Sequence, residues 1–330
     1  MADGRLLLVG GCAAASCQAV QRSAELYDPA RGRTQAVGEM TEPRVGHNAA
    51  LLPGDPAGRV LVVGGWNGEA VSAGAERYDP ATQRFEPLPA GPDVPRMDAT
   101  LTPLPDGSLL LAGGARALNQ PVAELERFDP ATQRFVAAGR LGTARVHHSA
   151  TPLPDGRVLI VGGQRLRQQG LASAEIVDPA SGRSTPTGPL AQPRCKHAAL
   201  ALADGRVLVI GGSPDCGERQ RHTSSELFDP ATGRFTPGPP LRHARYKIAG
   251  AVTRLPDGSV LVAGDAERAE RWVPGTAAFV PVPGALGAAR AFSQASALPD
   301  GSVLVSGGYD ADIRPTAHTW RWRVGASSQP

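Results

Sequence analysis

Lysine is almost missing from this sequence. Two lysines, Lys196 and Lys247, stand against 32 arginines, a preference that GC-rich codon usage produces. The formal net charge is only +3 over 330 residues. A charge this small gives the chain no electrostatic reason to bind DNA or another extended polyanion. We therefore expect no nucleic-acid partner.

Long apolar runs are missing as well. No stretch approaches the roughly 18 apolar residues that a membrane-spanning helix needs. The apolar run before Gly10-Gly11 is too short for the core of a signal peptide. We expect no insertion into membranes and, for the chain as given, a cytoplasmic location. A secreted or periplasmic location is the alternative if the gene holds a further segment upstream of Met1.

Cysteine is scarce, and its spacing does not suggest a metal site. The four cysteines are Cys12, Cys17, Cys195 and Cys216. None belongs to a Cys-x-x-Cys pair or to a spaced Cys/His zinc signature, so we expect no metal. Cys12 and Cys17 share one loop and could form a disulfide in an oxidising compartment. Four free thiols are the alternative, and the sequence leaves both open.

Local signatures of common catalytic sites are also missing. The chain contains no Gly-x-Ser-x-Gly, no His-Glu-x-x-His and no phosphate-binding loop. The sequence therefore assigns no catalytic residue and no cofactor.

What the sequence does contain is an internal repeat. An apolar run closes with Gly-Gly at residues 10–11, 64–65, 113–114, 162–163, 211–212 and 307–308, with a degenerate copy at Gly264-Asp265. The central copies are 49 residues apart three times in succession. Further markers recur with the same period: an aromatic-Asp-Pro-Ala segment, an Asp-Gly turn, and an Arg before the next apolar run. A period of this length is typical of propellers and other repeat folds.

One repeat, residues 145–187, shows how each unit folds. The sequence predicts strands at 148–153, 157–161, 172–177 and 183–187, separated by turn residues. Asp155-Gly156 makes a tight turn, because glycine tolerates a positive φ. Pro179 stops the third strand, because proline cannot donate to a ladder. Four antiparallel strands in about 50 residues are the blade of a β-propeller.

These markers resemble the Kelch family over essentially the whole chain. The similarity rests on Gly-Gly, a downstream Glu with aromatic-Asp-Pro, and an Arg followed by His three residues later. It is strongest to bacterial Kelch proteins built from units such as Leu-Pro-Asp-Gly-Arg-Val-Leu-Ile-Val-Gly-Gly at 153–163. The resemblance implies an all-β, Kelch-type β-propeller of four-stranded antiparallel blades, with strand a innermost and strand d outermost.

Counting the Gly-Gly strands predicts seven blades in a single domain. Their approximate bounds are 1–43, 44–95, 96–144, 145–193, 194–244, 245–289 and 290–330. The first and last blades are incomplete. The first lacks strand a within this sequence, and the last has no strand d after a strand at 318–324. The ends leave the closure of the ring open, and an upstream segment, if the gene holds one, would supply the missing strand.

The repeats act as an internal control for function. A residue present in nearly every blade serves the architecture, whereas a residue that varies at one position is a candidate for ligand contact. The strand-c glutamates and the arginines that open strand a are therefore structural, and we expect them to pair with each other or with nearby backbone. The glutamates are Glu25, Glu76, Glu126, Glu175, Glu226 and Glu270, and the arginines are Arg44, Arg96, Arg145, Arg194, Arg245 and Arg290.

The informative position, which we call the slot, lies two residues after each of these arginines. Its occupants are Gly46, Asp98, His147, Lys196, Lys247 and Phe292. Both lysines of the chain fall in the slot, in neighbouring blades. In Kelch substrate adaptors the equivalent position faces the pocket on the top face. Compact ammonium groups there would attract an anion; ordinary solvated lysines at the rim are the alternative.

A second ring of candidates follows each Gly-Gly, where the loop between strands b and c begins. The resemblance implies ligand contacts there, and Trp66, Gln164, Ser213 and Tyr309 are our candidates. The longest such loop, 213–223, is rich in charged residues.

We therefore expect a binding or scaffold protein that recognises a peptide, glycan or small anionic ligand at the top-face mouth of the propeller. The partner is a protein or carbohydrate, most simply an acidic one. The alternative is a propeller enzyme acting on a carbohydrate or small acid, such as an epimerase, a lyase or an oxidase-like enzyme, with His147 and Asp98 as acid or base.

Overall fold

The computed structural model describes residues 1, 3–166 and 169–323, and in them it contains 28 strands and one three-residue 3-10 helix at Ala15–Cys17. The strands form seven antiparallel sheets and one additional hairpin. The expected all-β, seven-bladed propeller is confirmed. Within those residues no helix is long and apolar enough to cross a membrane.

The first three sheets follow one another in chain order. Blade 1 has three strands, as expected: β1 (Leu6–Val9), β2 (Ala24–Asp28) and β3 (Arg33–Ala36). Blade 2 contains β4 (Asn48–Leu51), β5 (Val60–Val63), β6 (Ala75–Asp79) and β7 (Arg84–Pro87). Blade 3 contains β8 (Thr100–Pro103), β9 (Leu109–Ala112), β10 (Glu124–Asp129) and β11 (Arg134–Arg140).

The fourth sheet carries the additional hairpin in its loop. Its strands in chain order are β12 (Ser149–Pro152), β13 (Val158–Val161), the hairpin strands β14 (Gln164–Leu166) and β15 (Gln169–Gly170), β16 (Ala174–Asp178) and β17 (Arg183–Pro186). The sheet order is β12-β13-β16-β17, so the predicted strands of this repeat are confirmed to within two residues.

The last three sheets again follow one another. Blade 5 contains β18 (Ala198–Ala201), β19 (Val207–Ile210), β20 (Ser225–Asp229) and β21 (Arg234–Pro237). Blade 6 contains β22 (Val252–Arg254), β23 (Val260–Val262), β24 (Glu270–Trp272) and β25 (Val280–Pro281). Blade 7 has three described strands, β26 (Gln294–Ala297), β27 (Val303–Ser306) and β28 (Thr319–Trp322); residue 324 of the predicted last strand lies outside the described residues.

The described residues group into two compact units, and each has its cores between consecutive sheets. One unit comprises Met1–Val146, Asp155–Leu159 and Glu175–Thr185, and the other comprises the rest of the chain from His147. In the second unit, Leu208 and Ile210 of blade 5 pack in one cluster with Val260 and Val262 of blade 6. In the first, Leu61 and Val63 of blade 2 pack with Leu109 and Leu111 of blade 3. Strand b is apolar along its whole length because both of its faces are covered.

The recurring Arg and Glu residues form buried ion pairs, which confirms the expected pairing. Five blades have one each: Arg44–Glu76, Arg96–Glu126, Arg145–Glu175, Arg194–Glu226 and Arg245–Glu270. None of these side chains is more than 6% exposed. In blade 5 the second Glu226 oxygen accepts the Ala191 N–H at 2.9 Å, and Arg194 donates to the Gly211 carbonyl at 2.8 Å. Each pair therefore ties the entry of a blade to its strand c.

The terminal blades depart from this pattern. Glu25 of blade 1 is exposed, and Arg290 of blade 7 lies 3.7 Å from Asp310 of its own blade. The repeat rule thus holds in the five four-stranded blades.

Candidate functional site

The slot has one backbone conformation in all six blades in which it occurs. Its residues have φ between 51° and 63°, in the left-handed region: Gly46, Asp98, His147, Lys196, Lys247 and Phe292. For any residue except glycine this region costs roughly 1–2 kcal/mol. Such strain persists only where the surrounding structure imposes it. Five side chains are therefore held in the slot at an energetic cost.

Hydrogen bonds along the backbone connect the slots of neighbouring blades. The Lys196 N–H donates to the His147 carbonyl at 3.0 Å, and the Phe292 N–H donates to the Lys247 carbonyl at 2.8 Å. Between Lys196 and Lys247 the pattern shifts by one residue, because Ile248 is the donor, at 3.2 Å. Lys247 nonetheless keeps the left-handed slot conformation.

The two lysine ammonium groups converge on the same aromatic rings. Lys196 Nζ lies 5.3 Å from the ring centroid of Tyr246 and 5.8 Å from that of Phe292. Lys247 Nζ lies 5.4 Å and 5.9 Å from the same two centroids and 5.1 Å from that of Tyr309. Ring faces attract cations at these distances. We call these five residues the lysine–aromatic cluster.

A carboxylate of the chain itself contacts the cluster. Glu218 Oε1 accepts a hydrogen bond from Lys247 Nζ at 2.6 Å, and 63% of the Glu218 side chain is exposed against 12% for Lys247. Burial opposes the charge on Lys247, but hydrogen bonds with Glu218 and Tyr309 outweigh burial, so the pKa of Lys247 lies above its ordinary value. The same bond lowers the pKa of Glu218. The pair is therefore ionised at neutral pH.

The loop that carries Glu218 is fastened beside the cluster. Cys216 forms a disulfide with Cys195, the neighbour of Lys196, and its carbonyl accepts a hydrogen bond from the Tyr246 hydroxyl. Further along, Arg221 Nη1 lies 3.0 Å from Asp265 Oδ1. A second disulfide joins Cys12 to Cys17. Of the two open alternatives for the cysteines, the disulfide is the one present, and the Cys195–Cys216 bond was not expected from the sequence.

The family described as the Kelch motif matches residues 56–92, which comprise β5 to β7 of blade 2. A comparison with curated proteins finds no match. The Kelch match agrees with the seven antiparallel sheets and with the markers that recur along the sequence. The chain is a β-propeller that contains a Kelch motif. A binding or scaffold role is consistent with this fold.

Of the slot residues predicted in this Kelch propeller, four lie in the second compact unit. They are His147, Lys196, Lys247 and Phe292, and the last three belong to the lysine–aromatic cluster. Asp98 lies in the first unit, where its N–H donates to the Gly46 carbonyl at 2.8 Å. The lysine–aromatic cluster therefore does not include Asp98.

The residues predicted after Gly-Gly differ among themselves. Tyr309 belongs to the cluster, and its ring centroid is 5.9 Å from that of Phe292. Ser213 is fully buried and donates to Asp215 at 2.6 Å, so its hydroxyl serves the loop. Gln164 begins the hairpin strand β14, and Trp66 forms an isolated bridge with Val45 in the first unit. Only Tyr309 of these four is placed with the lysines.

Sequence reasoning missed Tyr246 as a member of the site. It immediately follows Arg245, at a position that holds Val45, Met97, Val146, Cys195 and Ala291 in the other blades. Tyr246 is the one aromatic residue in that set, so the internal control could have found it. Its N–H donates to Asp265 Oδ2 at 2.7 Å, and burial raises the pKa of Asp265.

Asp265 takes the place of the second glycine in the Kelch repeat, rather than the position after it. Its N–H donates to the Arg290 carbonyl at 2.9 Å, as that of Gly65 does to the Arg96 carbonyl. In the part of the chain that the structure describes, no group of three or more His, Cys, Asp or Glu side chains could hold a metal ion.

Proposed function

We propose that this Kelch propeller binds a ligand bearing carboxylates, most simply an acidic peptide segment, at the lysine–aromatic cluster. The observation that carries the proposal is the convergence of Lys196 and Lys247 on the rings of Tyr246 and Phe292, at 5.3–5.9 Å. They are the only lysines in a chain that otherwise uses arginine. Two like charges brought together attract negative groups, as Glu218 shows at Lys247.

A peptide carboxylate suits this site in size and in chemistry. Glu218 already places one at 2.6 Å from Lys247, so a side chain of this kind fits against the ammonium group. Phe292 is 36% exposed and offers an apolar surface to the rest of a ligand. Lysine donates as a compact point charge, and hydrogen bonds between charged groups are roughly twice as strong as neutral ones.

The protonation of Lys247 argues against its use as a nucleophile. An amine acts as a nucleophile only after losing its proton, which requires a lowered pKa. In this site the pKa of Lys247 is raised. A protonated lysine can anchor an anion but cannot attack a carbonyl carbon.

A charge-matched pair of variants tests the proposal. The probe is a fluorescent hexaglutamate peptide, with hexaglutamine as its neutral counterpart, followed by anisotropy. Lys196→Met with Lys247→Met should weaken hexaglutamate binding about 10- to 100-fold for each lysine, because each loses a charged hydrogen bond worth about 1.5–3 kcal/mol. Binding to the parent should also weaken as salt is added.

The control is Arg183→Met with Arg234→Met, which removes the same two charges from exposed positions on strands d. It should bind hexaglutamate as the parent does. Equal binding by the lysine double variant and the parent would show that the cluster is not the site.

A further inference from the structure

The carboxylate of Glu218 is far more exposed than the carboxylates of the architectural ion pairs. The architectural ion pairs of the propeller are almost wholly buried, whereas the Glu218 side chain is 63% exposed. Its Oε2 atom is 4.0 Å from Arg221 Nη2, a weak contact, while Oε1 is 2.6 Å from Lys247 Nζ. Glu218 therefore contributes little to the core, while it forms an ion pair with Lys247 in the cluster.

Three contacts around Glu218 keep it close to Lys247. Two residues before it, Cys216 is bonded to Cys195 and accepts the Tyr246 hydroxyl. Three residues after it, Arg221 is paired with the buried Asp265. The Glu218 side chain therefore belongs to a short segment, residues 216–221, whose two ends are held in place. A group tethered in this way competes at an effective concentration that dilution does not lower.

We propose that Glu218 is an internal competitor that determines which ligands the cluster accepts, an inference that rests on the proposed function. An incoming carboxylate reaches Lys247 only by displacing Glu218. Ligands with several carboxylates succeed, because one carboxylate can stay bound in the cluster while another exchanges with Glu218. Ligands with a single carboxylate gain only one contact. The loop 213–223 thereby selects for polyacidic ligands.

The expected effect is modest, because an exposed ion pair is weak. Pairs of this kind are worth at most about 1 kcal/mol. Removing the competitor should therefore tighten binding by about two- to fivefold. The gain should be larger for glutarate, a small dicarboxylate, than for hexaglutamate, since the longer peptide already displaces Glu218 more effectively.

The test compares Glu218→Gln with Glu267→Gln, which makes the same charge change at an exposed residue of the next b–c loop. Hexaglutamate and glutarate affinities are measured for both variants and for the parent. A second measurement needs no ligand. The chain has three amines, the N-terminus, Lys196 and Lys247, so limited acetylation followed by mass spectrometry reports each lysine separately.

Glu218→Gln should bind both probes more tightly, and Lys247 should be acetylated faster relative to Lys196, because the protonated amine has lost its acceptor. Glu267→Gln should change neither. If the two probes bind the Glu218→Gln variant no better than the parent, or if the Lys247 acetylation rate is unchanged, Glu218 is not a competitor.

Failure of the proposed function can be distinguished from failure of the competitor proposal. In that case the lysine double variant binds hexaglutamate as tightly as the parent, or no variant binds either probe, and the competitor fails with it. If the lysine double variant binds weakly while Glu218→Gln behaves as the parent, the anion site stands and only the competitor is overturned.

Discussion

Two sets of charged residues in this propeller recur with the same spacing and have opposite characters. The Arg–Glu pairs are identical from blade 2 to blade 6 and are no more than 6% exposed. The slot, two residues later, holds a different residue in every blade except the two with lysine, and Lys196 and Lys247 are only half-buried. The backbone geometry is thus repeated from blade to blade, while the residue type is constant at the Arg position and variable at the slot two residues later.

The difference between the Arg–Glu pairs and the slot shows which positions of the repeat are constrained in residue type. A buried guanidinium is stable only with its carboxylate and its carbonyl acceptors, so the five four-stranded blades keep both partners. The slot imposes only a left-handed backbone, which glycine adopts best and any residue can adopt at a cost. The residue type can therefore vary at the slot from blade to blade.

The largest expected effect comes from breaking a constant pair. Glu226→Gln leaves Arg194 buried without its counter-charge, while burial already lowers the pKa of that guanidinium. We expect a loss of about 3–5 kcal/mol in the free energy of unfolding, measured by urea denaturation. The control is Glu86→Gln, which breaks an exposed pair with Arg77 at 2.7 Å and should cost no more than about 1 kcal/mol. Equal costs for the two variants would contradict the architectural role of the buried pair.

A second prediction concerns the position after the slot, where His47 follows Gly46. Burial, with a smaller contribution from the charge of Arg44, lowers the pKa of His47 from 6.5 to about 4. Between pH 6.5 and about 4, His47 is therefore protonated in the unfolded chain but mostly neutral in the folded chain. Stability should be constant above that pH and should fall as the pH drops from 6.5 towards 4, by about 3 kcal/mol at pH 4.

The measurement is the pH dependence of urea unfolding for the parent and for His47→Gln. The variant should lack this component of the acid loss, whereas His318→Gln, at an exposed histidine, should retain it. Identical pH profiles for His47→Gln and the parent would show that His47 is not the group responsible.

Most of the fold could be predicted from the sequence because its signals are local. Asp-Gly turns, Asp-Pro stops and apolar strands b each mark an element, and the four strands predicted for residues 145–187 lie within two residues of their observed bounds. The Arg–Glu pairing was predictable because repetition and the cost of buried charge both demand it.

The site was predictable only in part, for a physical reason. Repetition identified the slot and hence Lys196, Lys247 and Phe292. The contacts that complete the cluster come from a loop whose path depends on tertiary packing: the Glu218 carboxylate on Lys247 and the Cys216–Cys195 disulfide. Glu218 and Cys216 lie in a loop, at positions that do not correspond in the repeat to those of Lys247 and Cys195. The left-handed backbone was hinted at by Gly46 alone, since glycine is the residue that adopts it most readily.

The smallest expected effect tests whether the left-handed backbone of the slot lowers the stability of the fold when the slot holds a residue other than glycine. Lys196 has φ 51°, and replacing it with methionine keeps the strain while removing the charge. Lys196→Gly removes both. The glycine variant should therefore be more stable than the methionine variant by about 1 kcal/mol, although glycine also loses more entropy on folding. Both variants should bind hexaglutamate weakly.

The same pair of substitutions at Arg234, an exposed residue at the start of strand β21, supplies the matched comparison. There the backbone is extended, so glycine should be less stable than methionine by about 0.5–1 kcal/mol. The sign of the glycine effect should reverse between the two positions, as measured by urea midpoints at constant slope. If glycine destabilises Lys196 as it does Arg234, the left-handed slot carries no strain. The lysines would then lie in a conformation that does not lower the stability of the fold.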